Sequence, residues 1–428
     1  MIKIIHFSDA HIDMSPHGKK EPSSGLPFRV LDYLSALDLI IDTAISSNID
    51  LVIFTGDAYR DRSPSPTYQR EWGKRMIRLS NAGIPTLLIV GNHDISPAFG
   101  RAHALQEYDT LSIPNILVAD KPMFLKPKDL QNLPIQIIAL PWISSSGMLA
   151  LNETNLNKRE DINSQLEQII NRLIQKWISE ADPEIPLILA AHASVQGAVY
   201  GSERNITLGN DYILSGSLVR NPAFDYVALG HIHKAQNLNE DGHPPVVYSG
   251  SIEKVDFGEL EDQKYFVISE IEKRSTKVNW IPLSGRHFSD KTIDLRVLAK
   301  SIGEGKIPEA VQVVRFVEEN LPDKEEILDS ISRLTLIYPQ DWEPLIDNNQ
   351  IQTYYKDAFE LQFIKKPHVN IRLRLAEDES IGSLTPIQLL EKYLLRENLD
   401  QMEIQDLRIL ASKIIYNQDD LTNLEDGH

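Results

Sequence analysis

Pro85-Thr86-Leu87-Leu88-Ile89-Val90-Gly91-Asn92-His93-Asp94 is the stretch that decides the fold class. Six residues with no polar alternation read as a short strand buried on both faces. The glycine lets the backbone turn tightly, and three side chains able to do chemistry follow at once. The same grammar recurs along the chain. Residues 2–7 lead into Asp9-Ala10-His11, and residues 50–55 into Gly56-Asp57. Residues 186–191 lead into His192, and residues 225–229 into Gly230-His231-Ile232-His233. A further apolar run covers 135–140. Five strands thus deliver Asp, Asn or His to one sheet edge, and in open α/β sheets ligands bind outside the carboxyl ends of the strands. Singly the fragments are weak: a capped turn explains Asp9-x-His11, and a hydrogen-bonded core histidine explains His192. The alternation in His231-Ile232-His233 is stronger, since an extended segment puts both imidazoles on one face.

Helical patterns lie between the runs. Residues 33–47 place Leu34, Leu37, Ile41, Ala44 and Ile45 on one face, 67–79 form a second helix, and 157–178 repeat Ile162, Leu166, Ile169, Ile170 and Leu173. Strand-like runs follow at 246–249, 264–271 and 277–282. The expected fold class is therefore α/β, a sheet architecture flanked by helices. A break at Ser284-Gly285 ends this first domain, residues 1–285. Residues 286–376 read as a small α+β unit, with strand-like 311–317, a helix at 324–331 and strand-like 351–355 and 369–375. Residues 377–383 read as a polar linker. Thr385-Pro386 then fits a helix start. The two terminal helices carry Ile387, Leu390 and Leu394, then Leu407, Leu410 and Ile414. They could dock on the parent domain or offer a surface to another protein's helices. An acidic tail, 419–428, completes a third region, 377–428.

The 428 residues fit two to three domains, with 42% hydrophobic and 24% charged residues, an ordinary globular composition. The absence of cysteine excludes disulfides, a thiol nucleophile and Cys-type metal sites. No run of about eighteen apolar residues suggests a membrane span, and the N-terminus turns polar too early for a signal peptide. A cytoplasmic enzyme is the expectation. Net charge is −18. Residues 301–428 hold 25 acids against 13 bases, while the first 300 hold 36 against 30, so the acidity is mostly C-terminal. That speaks against non-specific nucleic-acid binding by the last third. The best local basic patch is Arg60, Arg62, Arg70, Lys74, Arg75 and Arg78, set against Asp61 and Glu71 only. Arg70, Lys74 and Arg78 fall on one helix face and could track a DNA backbone. A solvated helix surface with a Glu71–Arg75 pair explains them as well. Lys19 and Lys20 are a weaker candidate.

On these motifs the chain resembles the calcineurin-like metallophosphoesterases, and within them the SbcD-type nuclease subunits of DNA double-strand-break repair complexes. His6-Phe7-Ser8-Asp9-Ala10-His11 and Gly250-Ser251-Ile252-Glu253-Lys254-Val255-Asp256-Phe257-Gly258-Glu259 carry the narrower likeness. The resemblance implies a core of two packed sheets flanked by helices, a small capping, DNA-binding domain, and C-terminal helices that bind a partner. It implies two Mn²⁺ ions, with Mg²⁺ or another divalent metal as alternatives. Asp9, His11 and His233 would hold the first, Asn92, His192 and His231 the second, and Asp57 would bridge them. His93 would be the general acid or a transition-state stabiliser. Asp94 would support the ligands from behind, though a plain turn cap fits it equally. Some relatives carry a further histidine where this chain has Arg60, whose guanidinium could take over a phosphate contact. The resemblance further implies 3′→5′ exonuclease action on duplex ends and endonuclease action on single strands or hairpins. It implies nucleoid association, a homodimer of the nuclease subunit, and an SbcC-type ABC ATPase partner with a long coiled coil. Two other readings compete: a small-molecule phosphodiesterase or phosphatase on the same site, and a catalytically weak scaffold for the ATPase and DNA ends.

Overall fold

A computed structural model describes residues 1–14, 19–95, 102–143, 159–201, 213–303, 306–368, 385–394 and 401–415. Among the described residues, fourteen strands build its first part: β1 (Ile2–Phe7), β2 (Leu51–Phe54), β3 (Thr86–Ile89), β4 (Ile116–Ala119), β5 (Met123–Leu125), β6 (Gln136–Leu140), β7 (Leu187–His192), β8 (Ser194–Val195), β9 (Ile213–Leu214), β10 (Tyr226–Gly230), β11 (Gln236–Asn237), β12 (Val246–Tyr248), β13 (Lys264–Glu272) and β14 (Ser275–Leu283). Two six-stranded sheets result, ordered β14-β13-β1-β2-β3-β4 and β11-β12-β10-β7-β6-β5, with β8 and β9 paired apart from them. β1 to β4 run parallel, with β13 antiparallel beside β1. In the second sheet β6, β7, β10 and β12 run parallel, between antiparallel β5 and β11.

The near-continuous apolar runs now have their reason: both faces of each sheet are covered. Ile4, Leu51, Ile53, Leu87 and Ile89 of the first sheet share one core with Ile137, Ala139, Ile188, Ala190 and Ala228 of the second. The alternate residues Ile5, Phe7, Val52, Phe54 and Leu88 turn outward, onto helices α1 (Phe28–Ser46) and α2 (Pro66–Asn81). On the other side, Ile138, Leu140, Leu189, Val227 and Leu229 pack on Leu166, Ile170 and Ile174 of helix Arg159–Glu180. A polar bridge crosses the space between the sheets. Buried His6 of β1 places Nδ1 3.0 Å from the hydroxyl of Tyr226 in β10 and Nε2 3.1 Å from Thr55 Oγ1. Burial pushes its pKa down to about 3, so the ring stays neutral and can donate once and accept once.

Helix α1 starts five residues before the sequence pattern suggests, because Arg29 is buried. Its guanidinium donates to the Lys254 carbonyl and pairs with Asp32 at 3.2 Å and Glu253 at 3.5 Å. Ile45, expected on the inner face, is exposed. Of the third helix, the side chain of Ile162 lies outside the described residues.

Two expected strands are helices. Residues 311–317 belong to helix Ala310–Asn320, where Val313 and Val317 are buried one turn apart and Val311 is exposed. Residues 351–355 fall mostly in helix Asn348–Tyr354, with Ile351 and Tyr355 buried at the same spacing. In both, burial at i and i+4 overrides the β preference of valine, isoleucine and tyrosine. The expected helix at 324–331 is one turn, Lys324–Ile327, followed by a strand. That strand, β16 (Ile331–Pro339), lies between β15 (Phe288–Asp294) and β17 (Glu360–His368). The expected strand 369–375, the linker 377–383 and the tail 419–428 lie outside the described residues.

The chain forms two compact units. The first holds both large sheets and takes in residues 1–292, 321–335 and 348–364; the second takes 293–320, 336–347 and 365–428. The span expected as one capping domain, 286–376, is thus shared between them. Within the second unit Leu295, Val313, Val317, Leu336, Tyr338 and Trp342 are buried. Helix Pro386–Leu394 opens with a reciprocal cap, Thr385 N donating to Gln388 Oε1 at 2.8 Å and Gln388 N to Thr385 Oγ1 at 3.4 Å. It pairs with helix Gln401–Ile415 through Glu391 and Arg408 at 2.7 Å. On that last helix Leu407 and Leu410 are exposed. Among the described residues no helix is long and apolar enough to cross a membrane.

The core between the sheets carries the first test. Ile188→Ala should lower stability by about 2–5 kcal/mol through lost contact and a residual cavity. Urea denaturation reads this directly, and a loss under about 1 kcal/mol would mean the sheets can collapse onto the gap.

Candidate metal centre

The carboxyl ends of β1, β2, β3, β7 and β10 meet, and the loops that leave them are stitched together by backbone bonds. Asp9 N donates to Gly56 O at 2.9 Å, and Ala10 N to Asp57 O at 2.8 Å. One carboxylate does more. Asp94 accepts from the amides of Asp57, Ala58 and Gly91 at 2.9, 3.0 and 2.9 Å, joining the loops after β2 and β3. Burial, with Asp57 nearby, raises the Asp94 carboxyl to about 6. Asp13 repeats the device for Arg60 N at 2.6 Å and Asp61 N at 3.1 Å. Asp9, His11, Asp57 and His231 all adopt left-handed backbone conformations, with φ of 50°, 38°, 62° and 96°. Non-glycine residues do so at a cost of about 1–3 kcal/mol each, and such strain gathers at functional sites. Gly91 is required for a different reason: a Cβ there would lie 2.1 Å from Asp57 Oδ1.

All seven residues expected as ligands come together, with His93 at their edge. Asp57 Oδ2 lies 3.8 Å from His11 Nε2 and 3.5 Å from His192 Nε2. Asn92 Oδ1 lies 2.8 Å from His192 Nε2 and 3.0 Å from His231 Nδ1. His11 Nε2 and His233 Nε2 are 3.2 Å apart. Asp9 accepts from His231 N through both oxygens, at 3.2 and 3.1 Å. Among the described residues, two groups have ligand atoms close enough to share one ion: Asp9, His11 and His233, and Asp9, Asp57 and His192. Asp9 is common to both, whereas the sequence reading gives the bridging place to Asp57.

The tautomers show what the site is built to hold. Nδ1 of His192 is 2.6 Å from the Thr55 carbonyl, that of His11 is 3.3 Å from the Tyr59 carbonyl, and that of His233 is 2.9 Å from Glu259 Oε1. Each partner is an acceptor, so each Nδ1 carries a proton and Nε2 is the atom each ring turns inward. The Nε2 of His192 then faces the Asn92 oxygen, and those of His11 and His233 face each other. Lone pairs at such distances repel unless a proton or a cation lies between them. Carboxylate, amide oxygen and imidazole together suit divalent metals, and the outer hydrogen bonds are those that orient metal-binding histidines.

The electrostatics agree. Burial opposes the Asp57 charge, but the His192 and His93 imidazoles outweigh it and hold the carboxyl far below its usual range. Burial pulls His192 down, yet the Asp57 carboxylate overcomes that and raises it to about 9. Burial raises Asp9 and lowers His11.

His93 stands apart from the seven. Its amide donates to Asp57 Oδ1 at 2.8 Å, and its Nδ1 lies 2.8 Å from the Arg60 carbonyl. That leaves Nε2 for chemistry. Of the cations singled out in the sequence, Arg60 and Arg62 lie beside the site, and Arg62 Nε approaches the Asn92 carbonyl at 3.4 Å. The α2 stripe is different. Arg70 and Lys74 each meet Glu71 at 2.9 Å. Arg75 reaches Asp38 at 2.5 Å and Arg78 pairs with Asp38 and Asp42 of α1. Of the expected phosphate-tracking face, Arg70 and Lys74 are thus met by Glu71 of α2 itself, and Arg78 from α1, a helix whose approach no local charge count reveals.

Sequence reading missed two neighbours. Trp142, at the end of the 135–140 run, lies 4.9 Å from the His231 ring and 6.1 Å from the His192 ring. The strand-end rule applied to a sixth strand would have found it. Glu259, which holds His233, lies in the quoted 250–259 segment, but nothing in the spacing gives it that role.

The calcineurin-like phosphoesterase profile matches residues 2–235. A curated relative, the SbcD component of the SbcCD nuclease from Escherichia coli (strain K12), is 25% identical over 272 residues, 62% of this chain. The chain spans 64% of the length of that relative. Among solved structures, a dimetal phosphatase from Danio rerio matches with 11% identity and TM-score 0.38, over 66% of this chain and 99% of that one. A protein of Thermus thermophilus matches with 13% identity and TM-score 0.37, over 65% and 98%.

A cation must displace the proton that His192 holds up to about pH 9. Mn²⁺ affinity should therefore rise about tenfold per pH unit between pH 7 and 8.5. Without metal the sign reverses. The raised pKa stabilises the fold fully below pH 6.5, and that stability fades as pH climbs through about 9. Calorimetric titration and Tm against pH, with and without metal, check both. Gly91→Ala forces Asp57 aside and should cost at least tenfold in metal affinity, in the range seen when ligand orientation is disturbed.

Proposed function

The chain belongs to the calcineurin-like phosphoesterases, and on that premise we propose that it is the nuclease subunit of an SbcCD-type complex for DNA double-strand-break processing. On this reading it is a 3′→5′ exonuclease on duplex ends and an endonuclease on single strands or hairpins. It works with two Mn²⁺ ions, as a homodimer in the cytoplasm at the nucleoid, beside an SbcC-type ABC ATPase. The observation that carries the phosphodiester chemistry is the set of inward-facing acceptors, Asp57 Oδ2, Asn92 Oδ1 and the Nε2 atoms of His11, His192 and His233. The likeness to the Escherichia coli nuclease component supports DNA as substrate.

Divalent cations bound there would polarise the phosphoryl group and acidify a water for attack. The chain's own residues do the rest. Asp9, His11 and His233 grip one side, and Asn92, His192 and His231 the other. Asp57 spans them, and Asp94 keeps its loop from moving. His93 holds a proton at Nε2 for the departing sugar oxygen, help worth roughly 10²–10⁴-fold. Arg60 and Arg62 offer charge to the neighbouring phosphates. The exposed terminal-helix residues Leu407 and Leu410 suit the ATPase partner.

The experiment is product release from 3′-labelled linear duplex DNA in Mn²⁺, beside a cyclic mononucleotide. We expect DNA cleavage, lowered at least 10²-fold by His93→Ala. We expect it lost in Asn92→Ala with ATPase binding kept. Turnover of the mononucleotide with intact DNA would overturn the nuclease reading. The neutralised α2 stripe is the feature that favours that outcome, a small-molecule phosphodiesterase.

A further inference from the structure

The segment after β12 carries a buried ion pair that the chemistry above does not use. Glu259 is fully buried and Lys264 is 2% exposed, with 2.9 Å between Lys264 Nζ and Glu259 Oε2. Burying both charges costs more than their attraction returns unless every remaining lone pair and proton is satisfied. Here they are satisfied in one particular way. Glu259 Oε2 also accepts from Val255 N at 2.8 Å. Lys264 Nζ also donates to the His233 carbonyl at 3.2 Å. The other carboxylate oxygen, Oε1, is left for His233 Nδ1 at 2.9 Å. The segment around Glu259 is braced as well, Asp256 Oδ1 accepting from Gly258 N at 2.7 Å and Lys254 Nζ donating to Leu260 O at 2.5 Å.

Lys264 therefore grips the backbone of His233 and, through Glu259, its ring. We propose that Glu259 is a positioning residue that fixes the tautomer and basicity of His233, and that Lys264 is there to hold Glu259 in that task. The proposal rests on the reading of His233 as a metal-holding residue. Its logic is acceptor arithmetic. Both oxygens of Glu259 face N–H donors, and an ionised carboxylate can accept on both sides. A glutamine cannot. Its amide NH₂ must face either Val255 N–H, which repels it, or His233 Nδ1. In the second case the imidazole moves its proton to Nε2, and that proton then points at the metal.

The test uses Glu259→Gln alone and with Lys264→Met, the double change removing the charge that would otherwise be stranded. Two readouts are taken on the full chain. One is the His233 tautomer in metal-free protein, from ¹⁵N shifts of the labelled imidazoles. The other is Mn²⁺ affinity by calorimetry. The wild type should show His233 protonated at Nδ1 and bind two ions. The variants should move the His233 proton toward Nε2 and lose about 10–100-fold in affinity for one ion. Far-ultraviolet circular dichroism and Tm show that the double variant is folded. A folded double variant with the wild-type tautomer and affinity within twofold would overturn the proposal while leaving the metal centre standing. A wild type that binds no divalent metal fails the metal reading itself, and with it this role.

Discussion

Repulsion between acceptors governs this molecule. Thr55, Tyr59 and Glu259 each take a proton from the outer nitrogen of an imidazole. By doing so they force the inner nitrogens to face one another and the Asn92 oxygen. A proton or a cation between them relieves that, so the site calls for positive charge. The features around it serve to hold the demand in place. Two sheets clamp the strand ends, Asp94 ties two loops, and a buried lysine–glutamate pair fixes the last ring.

The fold was readable because burial on both sheet faces leaves a plain trace, six-residue runs with no alternation. The seven inward-facing residues were readable for a related reason, since each follows such a run within a few positions. What remained hidden is whatever depends on residues far apart in sequence. Asp38 and Asp42 meet Arg75 and Arg78 only because α1 packs beside α2. Glu259 reaches His233 from 26 positions along the chain. The misread helices at 310–320 and 348–354 fail differently: a valine-rich segment prefers a strand by its own torsions, and only the burial of Val313 with Val317 decides otherwise.

The buried polar groups also explain why the two sheets stay in register at the site. His6 is held neutral by burial and bonds Thr55 beside β2 and Tyr226 in β10. Thr55 in turn offers its carbonyl to His192. A sliding of one sheet over the other would therefore break bonds at His6 and reorient His192 together. The same few groups join packing to chemistry, and core and site are coupled through a distance of one residue.

The left-handed backbone of His231 sets stability and use against each other. At φ 96° the residue best suited to that position by conformation alone is glycine. Selection for a tougher protein, in the laboratory or in evolution, would be drawn to that replacement and would discard an imidazole beside Asn92. Histidine persists there only while something other than folding is being selected. The chain is thus less stable than its own architecture permits, and the shortfall marks where its work is done.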